Sequence, residues 1–366
     1  MSEAHGGKEM QKPVSEYAKY RKNLLPLNIP ENYELNPIFE NVAKDGNIQK
    51  GIIAFRDFLY LFFDRLVSDG DLYVKPQNRS NPEDYPFLQN INQLLIEIGS
   101  YGKLNESGDS IIINEIPLFT APKPQISFPK QAECMRFLTQ CGFVFSGIDI
   151  DAKKLTIPER QLIEVSYPEN PILLTGLKAL AISAENLAVR FNNNAHDLLR
   201  CDYRTMKAEN TDELEILKDI LHLLPKKLQK FAINLHQRYV NMGLTCITLY
   251  DNTNHFAYAY TKTSKRALSK RDIYQMRLWS FAVSMKHGYS LIVRPKKTDK
   301  YEDTIEKFSP YLKEKIKKGY GCDRKRNEAC QGGCIGIILP LDDKILEIKQ
   351  DIEIWLDNEL PQSLKK

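Results

Sequence analysis

Residues 228–260 read LQKFAINLHQRYVNMGLTCITLYDNTNHFAYAY. Leu228–Asn241 carries a helical pattern, and Gly243 stops it. Thr245–Tyr250 and His255–Tyr260 then read as the two strands of a hairpin. Its turn, Asp251-Asn252-Thr253-Asn254, consists of residues that tolerate tight backbone conformations. A helix, a glycine and a hairpin in succession form the unit from which the rest of the fold is read.

The same unit recurs upstream. Gln131–Gln140 is helical in pattern, Gly142 stops it, and Phe143–Ile150 with Leu155–Ile157 read as paired strands. Phe87–Ile98 is helical, Gly99 and Gly102 break it, and Ser110–Asn114 is a short strand. The likeness of the later two units suggests an old duplication. Ile48–Val67 reads as one buried helix, with Ile52, Phe55, Phe58, Leu59, Phe62, Phe63 and Leu66 at three- and four-residue steps. Pro171–Phe191 and a helix from Asn210 to Leu224 connect the units. Asn210 with Glu213 has the spacing of a helix N-cap, and Pro225 ends that helix. Downstream come a helix Lys270–Lys286, a strand Tyr289–Arg294, a helix Tyr301–Lys318, a strand Ile335–Leu339 and a last amphipathic helix. That helix has Ile345, Ile348, Ile352, Trp355 and Leu356 on one face.

Helices and hairpins without regular βαβ alternation predict an α+β class. The 366 residues are enough for two domains. The reading is a flexible N-terminal arm (1–30), a mildly acidic α+β domain (31–205), and a basic α+β domain (206–366) with a cysteine loop and a C-terminal helix.

A net charge of +4 conceals strong polarisation. Residues 221–330 hold 23 Lys+Arg against 9 Asp+Glu, residues 331–366 hold 4 against 7, and the first 220 residues are acidic by 7. A partner of opposite charge meets the basic part first. The polar N-terminus resembles neither a secretory signal nor a membrane span. The apolar windows Ile52–Phe63 and Leu173–Val189 are each interrupted by charges. Seven cysteines without a signal read as reduced thiols of a cytoplasmic protein.

Phosphate-loop, dinucleotide, serine-nucleophile and H-E-x-x-H motifs are missing from the sequence. Two features carry chemistry. One is Cys322, Cys330 and Cys334, set among glycines and beside Arg324, Lys325 and Arg326. Converging thiolates bind zinc, and neighbouring cations lower thiol pKa values. A fourth ligand is not evident, and Cys246 or His287 could supply it only through the fold. The plain alternative is a reduced cysteine cluster in a turn.

The other is the cation set Lys262, Lys265, Arg266, Lys270, Arg271, Arg277, Lys296, Lys297, Arg324, Lys325 and Arg326. On the neighbouring strand, alternation puts Phe256, Tyr258 and Tyr260 on one face. Exposed, that face would be a base-stacking platform beside phosphate-binding cations; buried, it is ordinary core. Asp149 and Asp151 share a strand face and could hold Mg²⁺, but turn position favours solvation. His196, His236 and His255 are scattered, with no partner visible.

The segment Gln331-Gly332-Gly333-Cys334-Ile335-Gly336, with Leu339–Leu346 and Asp351–Asp357 after it, resembles the tail of a group of uncharacterised bacterial proteins. The resemblance spans under about a tenth of the chain and implies no activity. Three functional readings stand: a non-enzymatic protein whose basic domain contacts nucleic acid or another polyanion, a sensor or scaffold enclosing a small molecule, and an enzyme or a metal or redox protein built on the Cys322/Cys330/Cys334 loop.

Overall fold

Helices and antiparallel strands alternate irregularly in a computed structural model that describes residues 14–43, 46–69, 86–114, 128–152, 162–185, 198–209, 212–250, 253–263, 268–296, 298–318 and 336–364. The class is α+β. The described residues fall into two compact units, one up to 209 and one from 212.

In the first unit, α1 (Val14–Lys22) buries Val14, Tyr17 and Ala18. Leu25 and Ile29 behind it are buried too, so residues 14–30 are not an arm. The helix α2 (Asn47–Asp69) is the aromatic stripe seen in the sequence, and Phe55, Phe58, Phe62 and Phe63 are all fully buried. Helix α5 (Leu173–Glu185) packs on both α2 and α3 (Pro86–Tyr101), and Phe137 of α4 (Phe128–Gln140) meets Phe62 of α2 edge-on at 5.4 Å. Gly99 does not break α3. It lies inside the helix, where a Cβ would sit 2.4 Å from that of Ala181 on α5. The absent side chain lets two helices approach.

A four-stranded antiparallel sheet completes this unit: β1 (Lys103–Leu104), β2 (Ser110–Ile113), β3 (Val144–Ser146) and β4 (Ile163–Ser166), in the order β1-β2-β4-β3. The partner of β3 is therefore β4, and residues 155–157 lie outside the described residues.

The second unit opens with α6 (Glu213–Ile220). Its N-cap is Asp212, whose carboxylate accepts from the Leu214 amide at 3.0 Å; Asn210 lies outside the described residues. Next come α7 (Lys226–Asn241) and a five-stranded antiparallel meander. Its strands are β5 (Thr245–Tyr250), β6 (Thr253–Ala259), β7 (Trp279–Ser284), β8 (Gly288–Val293) and β9 (Ile337–Pro340). Between β6 and β7 lies α8 (Lys270–Met276). The predicted helix Lys270–Lys286 is thus a short helix followed by a strand. All six residues of β7 are buried, and a strand covered on both faces loses the alternation that would betray it.

Helices α9 (Glu302–Ile305) and α10 (Pro310–Lys318) divide the predicted helix Tyr301–Lys318 before Pro310. After β9 the chain ends with α11 (Asp343–Glu347) and α12 (Lys349–Glu359). The two helix-to-strand turns read as alike do share a geometry. At Gly142 and Gly243, both with φ near +101°, the glycine amide bonds three residues back and the next amide five. This left-handed C-terminal cap suits glycine.

The meander has two covered faces. On one, Phe256, Tyr258, Trp279 and Phe281 lie side by side beneath α7. On the other, Ile247, Leu249 and Ala257 form a cluster with Leu268 and Ile273 from the β6–β7 connection. Burying Phe256 and Phe281 alone stabilises the unit by about 1.5–3 kcal/mol each before entropy.

Candidate functional site

A sequential meander sends its connections alternately to two ends. The β5–β6 and β7–β8 connections share one end, and both are short. The β6–β7 and β8–β9 connections share the other. The β6–β7 connection, residues 260–278, holds six Lys+Arg against one Asp. Each cation expected from the sequence belongs to one of these two longer connections.

Lys262 follows β6 directly and is exposed. Arg271 is exposed on α8, which is seated by Leu268 and Ile273 in the apolar cluster. The one acid of the connection, Asp272, is engaged in a capping box. It accepts from the Ser269 amide at 3.0 Å and the Ser269 hydroxyl at 2.6 Å, while its own amide donates to Ser269 Oγ. These bonds hold the Asp272 carboxyl below its ordinary pKa. Lys296 is exposed just after β8. Its ammonium donates to the Gln275 carbonyl at 3.1 Å, near the last turn of α8, where a cation suits the helix dipole.

Two arginines lie deeper at this end. Arg277 is 1% exposed and stacks over the Tyr274 ring at 4.7 Å. Arg294, 4% exposed, donates to the Tyr274 carbonyl. Arg277, expected among the surface cations, is thus a core residue and is withdrawn from the contact set. A buried guanidinium stacked on a ring serves packing. Lys270 starts α8, though its side chain lies outside the description. Lys265, Arg266, Lys297, Arg324, Lys325 and Arg326 lie outside the described residues.

Sequence reasoning missed the buried carboxylate of Glu359. It accepts from the Lys296 amide at 2.7 Å and from the Tyr301 hydroxyl, which in turn accepts from the Trp355 indole at 3.2 Å. Spacing carried a signal: Glu359 lies four residues after Trp355 and three after Leu356, on the same helix face. The carboxylate fixes where the chain leaves β8.

The opposite end differs in kind. Lys227 of α7 pairs with Asp343 at 2.7 Å, just beyond β9, so the start of α7 lies at the opposite end of the sheet from Lys262 and Lys296. On α10, Lys313 and Lys317 face Glu306 at 3.7 and 3.5 Å. Not every cation of the basic stretch therefore contributes to one surface.

The aromatic strand face is not a platform. Phe256 and Tyr258 are 1% and 0% exposed, and only Tyr260, at 37%, reaches solvent. Tyr258 donates to or accepts from His236 Nδ1 at 2.8 Å, so this histidine is a buried partner of the core. Burial, with Cys246 alongside, pushes the Tyr258 phenol well above its ordinary pKa.

Cys322, Cys330 and Cys334 lie outside the described residues. Among the described residues no three His, Cys, Asp or Glu gather to hold a metal ion. Cys246 shares a row of the sheet with Tyr258 and Trp279, whereas His287 lies beyond the row of Ser284. Five residues of strand separate these rows, about 17 Å at the usual rise, so the two cannot ligate one ion. Asp149 and Asp151 occupy an exposed turn, where Asp149 accepts from the Asp151 amide at 3.0 Å and Asp151 lies 3.9 Å from Arg136. That is a solvated turn closed by its own side chain.

The chain is a two-unit α+β protein whose second unit exposes Lys262, Arg271 and Lys296 on the two longer connections of its sheet. No family model, curated protein or solved structure matches the chain. No helix among the described residues is long and apolar enough to cross a membrane.

Proposed function

We propose that the second unit is a non-enzymatic binding module that contacts nucleic acid through the β6–β7 and β8–β9 end of its sheet. The observation that carries this reading is the meander order. It brings Lys262 and Lys296 to one end of the sheet, while Arg271 rides on α8, which packs on a sheet face and accepts the Lys296 ammonium at the Gln275 carbonyl. An excess of cations over acids, six Lys+Arg against one Asp in the β6–β7 connection, favours phosphate contact, and such contact is worth most at low salt.

Fluorescence anisotropy of the whole protein with a labelled nucleic acid, across a series of salt concentrations, tests it. Binding in the micromolar range or tighter that weakens steeply with salt is the expected result. Absence of binding at low salt overturns the reading.

A further inference from the structure

Resting on that reading, we infer that the preferred ligand is duplex nucleic acid, held through its phosphates without base stacking. Proteins that hold single strands combine cations with aromatic rings, and each stacked base contributes about 1–3 kcal/mol. Among its described residues, this site has little to offer of that kind. Phe256, Tyr258, Trp279 and Phe281 are each no more than 1% exposed, and Tyr258 is committed to Trp279 and His236. Among the described residues at this end, Tyr260 is the one exposed aromatic ring.

A duplex keeps its bases stacked on one another and needs no such platform. It presents one phosphate charge for about every 1.7 Å of axis, twice the density of one of its strands. The cations facing it are carried on anchored backbone. Arg271 rides on a helix anchored by Ile273 and capped by Ser269, and Lys262 follows the end of β6. Lys296 is pinned by its amide to Glu359 and by its ammonium to the Gln275 carbonyl. Cations on anchored backbone suit a stiff array of phosphates better than a flexible single strand, and phosphate contacts fix register without reading sequence.

The test compares a labelled duplex with a labelled single strand of equal length, at matched salt, for the native protein and for Tyr260→Ala. The expected result is duplex binding at least about tenfold tighter, with a slope of log affinity on log salt of roughly −3 or steeper from three phosphate contacts. Tyr260→Ala should change duplex affinity less than about twofold, because one ring at the rim stacks on nothing in a duplex. A single strand bound as tightly as the duplex, or a tenfold loss for Tyr260→Ala, overturns this inference and leaves the polyanion reading standing. Binding of neither nucleic acid at low salt overturns both. Thermal melting of Tyr260→Ala separates a binding loss from a folding loss.

Discussion

The ring of Tyr258 lies flat against the indole of Trp279, with centroids 3.7 Å apart and planes 11° from parallel, where β6 and β7 set the two residues opposite one another. Tyr239 of α7 meets the same indole edge-on at 5.4 Å, and His236 meets the phenol. The aromatic face that could have served as a binding platform is the seat of a helix.

Substitutions here should therefore cost stability. Trp279→Ala removes the ring on which both tyrosines pack, and should destabilise the second unit by about 3–5 kcal/mol. Tyr258→Phe keeps the stack but loses the hydroxyl's bonds to His236 and Cys246, so about 1–3 kcal/mol is expected. Denaturant titration measures both. At protein concentrations and temperatures where Tyr258→Phe stays folded, its affinity for nucleic acid should match that of the native protein.

In the first unit, α2 and α5 cross at Gly51 and Gly176. A Cβ on Gly176 would fall 2.1 Å from the Gly51 carbonyl oxygen, and one on Gly51 would fall 2.5 Å from the Gly176 amide nitrogen. Backbone cannot yield as a side-chain tip does. Gly176→Ala should cost at least about 1–3 kcal/mol by overpacking, seen as a lower melting temperature. An unchanged melting temperature would contradict the close crossing.

Alkali should unfold the protein through its tyrosines. Burial raises the pKa of Tyr239, with Asp357 beside it adding to the effect, and burial alone pushes Tyr289 to about 12. A raised folded pKa means that stability is fully present below the unfolded value near 10 and is lost as pH climbs toward the folded value. Stability should accordingly decline above about pH 10. Tyrosinate absorbance of the buried rings should appear together with loss of helical circular dichroism, and its appearance in a fully folded protein would contradict the burial.

Much of the fold is legible in the sequence where one face of an element is wet. The stripe of α2 and the hairpin Thr245–Ala259 follow from periodicity because polar residues mark the other face. Trp279–Ser284 reads as helix because both of its faces are dry and periodicity carries no information there. The cap at Asp212 was displaced by two residues, within the ambiguity of any Asn/Asp-rich helix start. Composition exposes the cations, but that the β6–β7 and β8–β9 connections, with Lys262 and Lys296, share one end of the sheet is a property of strand order that no local pattern encodes. Burial of Arg277 has the same origin: only the packing of Tyr274 beneath it separates it from Arg271, six residues earlier.

Charge reversal at the two ends of the second sheet tests the account most directly. Lys262→Glu with Arg271→Glu alters the proposed end, and Lys226→Glu with Lys230→Glu alters the start of α7 by the same change in net charge. Anisotropy against a labelled duplex at a fixed, low salt concentration should show a loss of more than about tenfold for the first pair, as two phosphate contacts become repulsions. The second pair should lose only the few-fold that a general change in net charge produces. Equal losses for the two pairs, or a larger loss for the second, would contradict a binding site at the β6–β7 end.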